Sequence, residues 1–311
     1  MRGRMQGILV ASVFSLVIIL GFLQAGGSSL ITMICGVLMA AVIALVTLRK
    51  GAVEGLVTLA GASVASTILN LVVMQNIDFS ALALFAIMVL PVWGLALLLR
   101  RTVSLGSVLS ASVVIGMLGV IGIYIVFDDP AAQWYEMLSM SIGNQLSDSS
   151  LDVFNADEID TYLNTLAEWM TGLMVAAIVS TYLTSLLVAR WWQALLYNPG
   201  GFKEEFYGAR VGRYIGITAF LVFVGALLGS GLLSNMMSDM LWLFSFIYLI
   251  PGIAIAHSII ALASASKPLF IVFYVFLAIF PQIAILVALV GWADTWFNFR
   301  AKLIKDSSSS E

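Results

Sequence analysis

The sequence predicts an all-α, polytopic membrane protein: a transmembrane helix bundle of about nine spans. Three observations carry that prediction. The 311 residues are 61% hydrophobic and 10% charged, with a mean hydropathy of +1.07, against about 45–50% apolar and about 25% charged in soluble domains. The apolar residues gather in stretches of ~20, the length at which a helix crosses the hydrocarbon with its backbone amides satisfied internally. Period-two alternation is absent, which excludes a transmembrane β-barrel. With only 14 basic and 17 acidic side chains, the chain has too little charge to coat a soluble surface, so soluble enzymes are excluded. The net charge of −3 gives no general attraction to nucleic acid. Cys35 is the one cysteine, so no intramolecular disulfide forms.

The spans fall at about 7–24, 29–48, 52–74, 79–99, 104–127, 168–189, 214–233, 240–263 and 269–293, each near the ~20-residue requirement. The first follows Arg2 and Arg4. Its apolar run exceeds the ~7–15 residues of a signal-peptide core and no A-x-A site follows, so it reads as an uncleaved helix. Arg49 and Lys50, Arg100 and Arg101, then Arg190, Lys203, Arg210 and Arg213 fall at every second boundary. The positive-inside rule therefore puts them, with the N terminus, in the cytoplasm. Between Arg101 and Arg190 there is no Lys or Arg but there are nine acidic residues, from Asp128 to Glu168; this is the extracytoplasmic loop.

Residues 128–167 thus divide a five-span half, 1–127, from a four-span half, 168–311. Within the loop, Asn155 with Glu158 forms an Asn-x-x-Glu cap, and Ile159, Leu163 and Leu166 follow at helical spacing. A helix is expected to start there and to run unbroken into the sixth span. Trp134, Met137, Leu138 and Ser141 suggest a short amphipathic helix before it. The ninth stretch is interrupted by Pro281. Either it crosses and leaves Arg300, Lys302 and Lys305 outside, or it is re-entrant and the crossings number eight.

Two segments carry a family resemblance. Thr47-Leu48-Arg49-Lys50-Gly51, with Gly55 after it, resembles the start of the substrate-binding S components of energy-coupling-factor vitamin transporters, over the first five spans. The whole chain resembles the bacterial YybS-like membrane proteins, a family defined as a domain of unknown function. That likeness rests on the Arg49–Gly55 segment, the acidic loop and the ending Gly291-Trp292-Ala293-Asp294-Thr295-Trp296-Phe297-Asn298-Phe299-Arg300. Arg190-Trp191-Trp192 through Pro199-Gly200-Gly201 is similar to its proteobacterial branch. The resemblance implies a multi-pass protein of the inner membrane that binds or transports a small molecule, with a membrane-protein partner to supply energy. The alternative is an envelope assembly factor acting through protein contacts.

No Walker-type loop, His-Glu-x-x-His motif or Cys/His cluster occurs, so no cofactor, metal site or catalytic residue is assigned. The ligand-binding candidates are Asn70, His257 and Gln282, the deepest hydrogen-bonding side chains of the third, eighth and ninth spans. His257 is the single histidine, and an ionisable group at membrane depth is a functional candidate by default. Pro251 and Pro281 free backbone carbonyls beside them, while Phe270, Phe273, Tyr274 and Phe276 offer apolar walls. One imidazole and two amides suit a largely uncharged ligand. The small residues Ala60, Gly61, Ala62, Ser63, Ala65 and Ser66 predict close helix packing, as do Ala40 and Ala44.

Overall fold

The computed structural model describes residues 4–25, 30–75, 79–148, 156–262 and 268–299, and its elements there are all helical. In chain order they are α1 (Arg4–Ala25), α2 (Leu30–Lys50), α3 (Ala52–Met74), α4 (Phe79–Thr102), α5 (Leu105–Val126), α6 (Pro130–Asp148), α7 (Ala156–Tyr197), α8 (Gly201–Tyr207), α9 (Arg213–Leu228), α10 (Gly231–Leu262), α11 (Pro268–Ile279) and α12 (Pro281–Phe297). Six of them (α2, α3, α4, α5, α7 and α10) are long and apolar enough to cross a membrane. The chain is a multi-pass helical membrane protein.

The count of nine is not reached by length alone, for two physical reasons. First, the apolar parts of α1 (Met5–Gly21) and α9 (Arg213–Leu228) are short. The seventh span, expected to reach residue 233, ends at Leu228. There Gly229 closes its amide onto the Gly225 carbonyl at 2.9 Å, and Gly231 turns the chain with φ 62°. Residues expected in that span and in the link after it instead begin α10. Second, Pro281 has no amide to continue the ladder, so the last stretch breaks into α11 and α12, bent by 111°.

The loop prediction fares differently. Asn155 lies outside the described residues, but α7 opens at Ala156 and runs 42 residues without interruption. Its length of roughly 63 Å is twice the ~30 Å hydrocarbon thickness, so part of it projects beyond the bilayer. The amphipathic segment around Trp134 is the 19-residue helix α6.

Contacts divide the chain into two compact units, residues 1–111 with 180–210, and 112–179 with 211–311. In the first, Ala11, Met39, Val42, Ile43, Ala62 and Val89 form a buried core, closed by Phe14, Leu59, Phe85 and Trp192. The small-residue stripe of α3 is consumed inside the unit: Ile8 of α1 covers Gly61, and Ser15 donates to the Ser66 hydroxyl at 2.7 Å. Basic residues collect at one end. Arg100 donates to the terminal carbonyl of Leu48 at 2.7 Å and to that of Thr47 at 3.3 Å, where a cation also meets the negative end of the helix dipole. Arg49 lies over the Tyr197 ring at 4.8 Å, and Arg190 pairs with Glu205.

In the second unit, α9, α10 and α12 pack together. Gly252 and Gly291 let α10 and α12 touch backbone to backbone. A Cβ on Gly252 would fall 2.1 Å from the Val287 carbonyl oxygen, and one on Gly291 would fall 2.2 Å from that of Tyr248.

Candidate functional site

His257 lies on the second half of α10, half-buried, facing α11. The Tyr274 hydroxyl is 2.9 Å from its Nε2, and the rings of Phe270 (4.9 Å), Tyr274 (5.7 Å) and Phe273 (6.5 Å) meet the imidazole edge-on. Spacing explains the arrangement: positions 270, 273 and 274 recur at three and four residues and share one face of α11. Three of the four expected wall residues therefore surround His257. Phe276, on another face, stacks on Phe280 at 5.7 Å instead.

Gln282 is exposed in the first turn of α12, beyond the bend at Phe280. Asn70 is half-buried on α3 in the first unit, and its buried side-chain oxygen accepts no hydrogen bond among the described residues. His257 and Gln282 both belong to the second unit.

A further polar constellation escapes a reading by periodicity. Asp239 on α10 is only 2% exposed. The Tyr124 hydroxyl of α5 donates to its Oδ2 at 2.7 Å, and the Gly172 amide of α7 donates to its Oδ1 at 2.8 Å. Glycine is required at 172, because an added Cβ would lie 2.6 Å from the Asp239 carbonyl oxygen and 2.9 Å from Oδ1. The neighbouring residue, Thr171, accepts the Trp134 indole N–H of α6 at 2.9 Å, and Trp169 packs on Trp242 at 5.8 Å. Three helices, α5, α7 and α10, thus meet at one carboxylate, and α6 is tied to α7 beside it. The expected start of the eighth span at 240 left Asp239 one residue outside it, in a loop where an acidic side chain raises no question. The signal available was the run Met236-Met237-Ser238-Asp239-Met240-Leu241, a lone charge among residues suited to a buried helix.

The segments that carried the resemblance have structural roles of their own. Gly51 joins α2 to α3 with φ 106°, and Gly55 faces Thr47 so closely that a Cβ would lie 2.1 Å from its hydroxyl oxygen. In the terminal segment, Gly291 makes the close approach to α10, and the Trp292 indole donates to the Gly216 carbonyl of α9 at 3.1 Å. Buried Asp294 accepts the Phe299 amide at 2.8 Å, which fixes the chain just past the end of α12. Among the described residues no three His, Cys, Asp or Glu side chains gather to hold a metal ion. Comparison with family models, with curated proteins and with solved structures finds nothing that matches this chain.

Proposed function

We propose that this chain is a multi-pass protein of the bacterial inner membrane that binds or carries a small, largely uncharged molecule, as an S-component-like subunit that draws energy from a membrane-protein partner. The observation that carries the reading is the His257 cluster. An imidazole and a phenol supply directional hydrogen bonding within a wall of aromatic faces, the combination of few polar groups in apolar surroundings that small-molecule sites use. It lies beside the broken stretch α11–α12, and interrupted helices are where carriers present ligands with free backbone groups. Gln282, in the same unit, is the further ligand contact of this proposal.

The proposed topology has the N terminus in the cytoplasm and eight crossings, α1 to α5, α7, α9 and α10, with α11–α12 re-entrant. The bend of 111° supports the re-entrant form, and so does the charge rule. It returns Arg300, Lys302 and Lys305 to the side of the other basic clusters.

The test is untargeted mass spectrometry of the full chain purified in mild detergent. Wild type should retain a compound that is reduced at least several-fold in His257→Ala and in Tyr274→Phe, at unchanged membrane insertion. A wild type that retains only bulk lipid overturns the reading. So does a compound retained equally by both variants.

A further inference from the structure

We propose that Asp239 is a reversible proton-binding site, with Tyr124 as its switchable hydrogen-bond partner, and that its protonation state switches the contact between α5 and α10 in the carrier. The purpose rests on the carrier reading above; the proton site itself does not.

The carboxylate is 2% exposed inside a helix, and its two partners, the Tyr124 hydroxyl and the Gly172 amide, are both neutral donors. No ion pair reaches it among the described residues. The described part of its unit carries a single cation, Arg213, at the start of α9. A carboxylate buried without a counter-charge is costly, and ionisable residues facing the interior of a membrane bundle mark ion and proton pathways. Both oxygens face donors, which leaves no cage of oxygen ligands for a metal cation. A proton fits. Added to Oδ2, it makes that oxygen a donor, and the Tyr124 oxygen, which both donates and accepts, becomes the acceptor. The Gly172 amide continues to donate to Oδ1. The Tyr124 proton must then turn to another acceptor, so protonation rearranges the contact that ties α10 to α5.

The other titratable groups near the site are exposed carboxylates. Tyr124 is two residues from the end of α5, and exposed Asp129 lies just beyond that end. On α7, Glu168 is exposed one turn before Gly172, and on α6, Glu136 is exposed near Trp134; neither bonds to Asp239.

The experiment is an infrared pH titration of the full-length protein in lipid bilayers, with no ligand added. It follows the carbonyl stretch of protonated carboxyl groups between about pH 5 and 9, where exposed carboxylates stay ionised. Wild type should show a band that appears and disappears reversibly, is missing in Asp239→Asn, and shifts in frequency in Tyr124→Phe. Tyr124→Phe keeps the acid and the packing, so it reports even if Asp239→Asn fails to fold. No titrating band in wild type, or one unmoved in Tyr124→Phe, overturns the site. The ligand reading fails separately: an intact titration with no retained compound removes the carrier and leaves the proton site.

Discussion

Gly172 and Asp239 form a contact that leaves no room for a side chain at position 172. The glycine admits the α10 backbone, and the carboxylate then claims the amide that the missing side chain exposes. Gly172→Ala should destabilise the protein by about 1–3 kcal/mol, the usual range for overpacking a filled interior, read as a lower unfolding midpoint in detergent. Gly36 is the control, because a Cβ there meets nothing within 4 Å; Gly36→Ala should not lower the midpoint and, as the better helix former inside α2, should raise it slightly. His257 differs in kind. Its ring contacts come from the next helix in the chain, so its environment depends on α11 keeping one face toward α10.

At the scale of elements, α6 is tied to α7 by two bonds that do not depend on a lipid environment: the Trp134 indole to Thr171, and the Tyr135 hydroxyl to the Asp160 carboxylate. The bond to Asp160 pushes the Tyr135 phenol above its ordinary value. A group whose folded pKa is raised contributes stability below its unfolded pKa and loses it as pH rises through the folded value. The tie is therefore present at neutral pH and released only on the alkaline side of the ordinary phenol range. Hydrogen exchange of the α6 amides should quicken there in wild type, and Tyr135→Phe should exchange faster already at neutral pH, with that alkaline step abolished. The α10–α12 crossing makes a second prediction. Gly291→Leu should part the helices and, by overpacking of ~1–3 kcal/mol or more, lower the unfolding midpoint. An unchanged midpoint would mean that α12 is not seated on α10.

For the whole molecule, the proposed arrangement is tested by reporter fusions. A reporter after Ser150 should read extracytoplasmic, one after Gly201 cytoplasmic, and one at the C-terminal end cytoplasmic. The first two follow from the acidic interval between Arg101 and Arg190 and the basic groups on either side. The third follows from the re-entrant α11–α12. A cytoplasmic signal at Ser150 reverses the orientation, and an extracytoplasmic C-terminal end restores nine crossings. Within the second unit the bonding agrees with a single loop side: Tyr124 near the end of α5 and Gly172 in the first half of α7 bond to Asp239 near the start of α10, and Trp134 of α6 bonds to Thr171 beside Gly172.

By itself the sequence determined that this is a helical membrane protein and where most of its helices lie. Those properties follow from composition and local spacing, and the bilayer enforces them on each helix separately. It also marked His257 and three aromatic residues that surround it, because they share helical periodicity and one short connection. Tertiary structure decided the rest. Whether residues 229–239 form a link or a helix depends on how α9 turns back through Gly229 and Gly231, and that choice alone makes Asp239 an interior residue. Tyr124, Gly172 and Asp239 are far apart in the chain and follow no shared period. Only the packing of α5, α7 and α10 gives the carboxylate its two donors. The bend at Phe280–Pro281 is a third such decision: a proline in a membrane helix is compatible with a kink or a full break, and the sequence does not distinguish them.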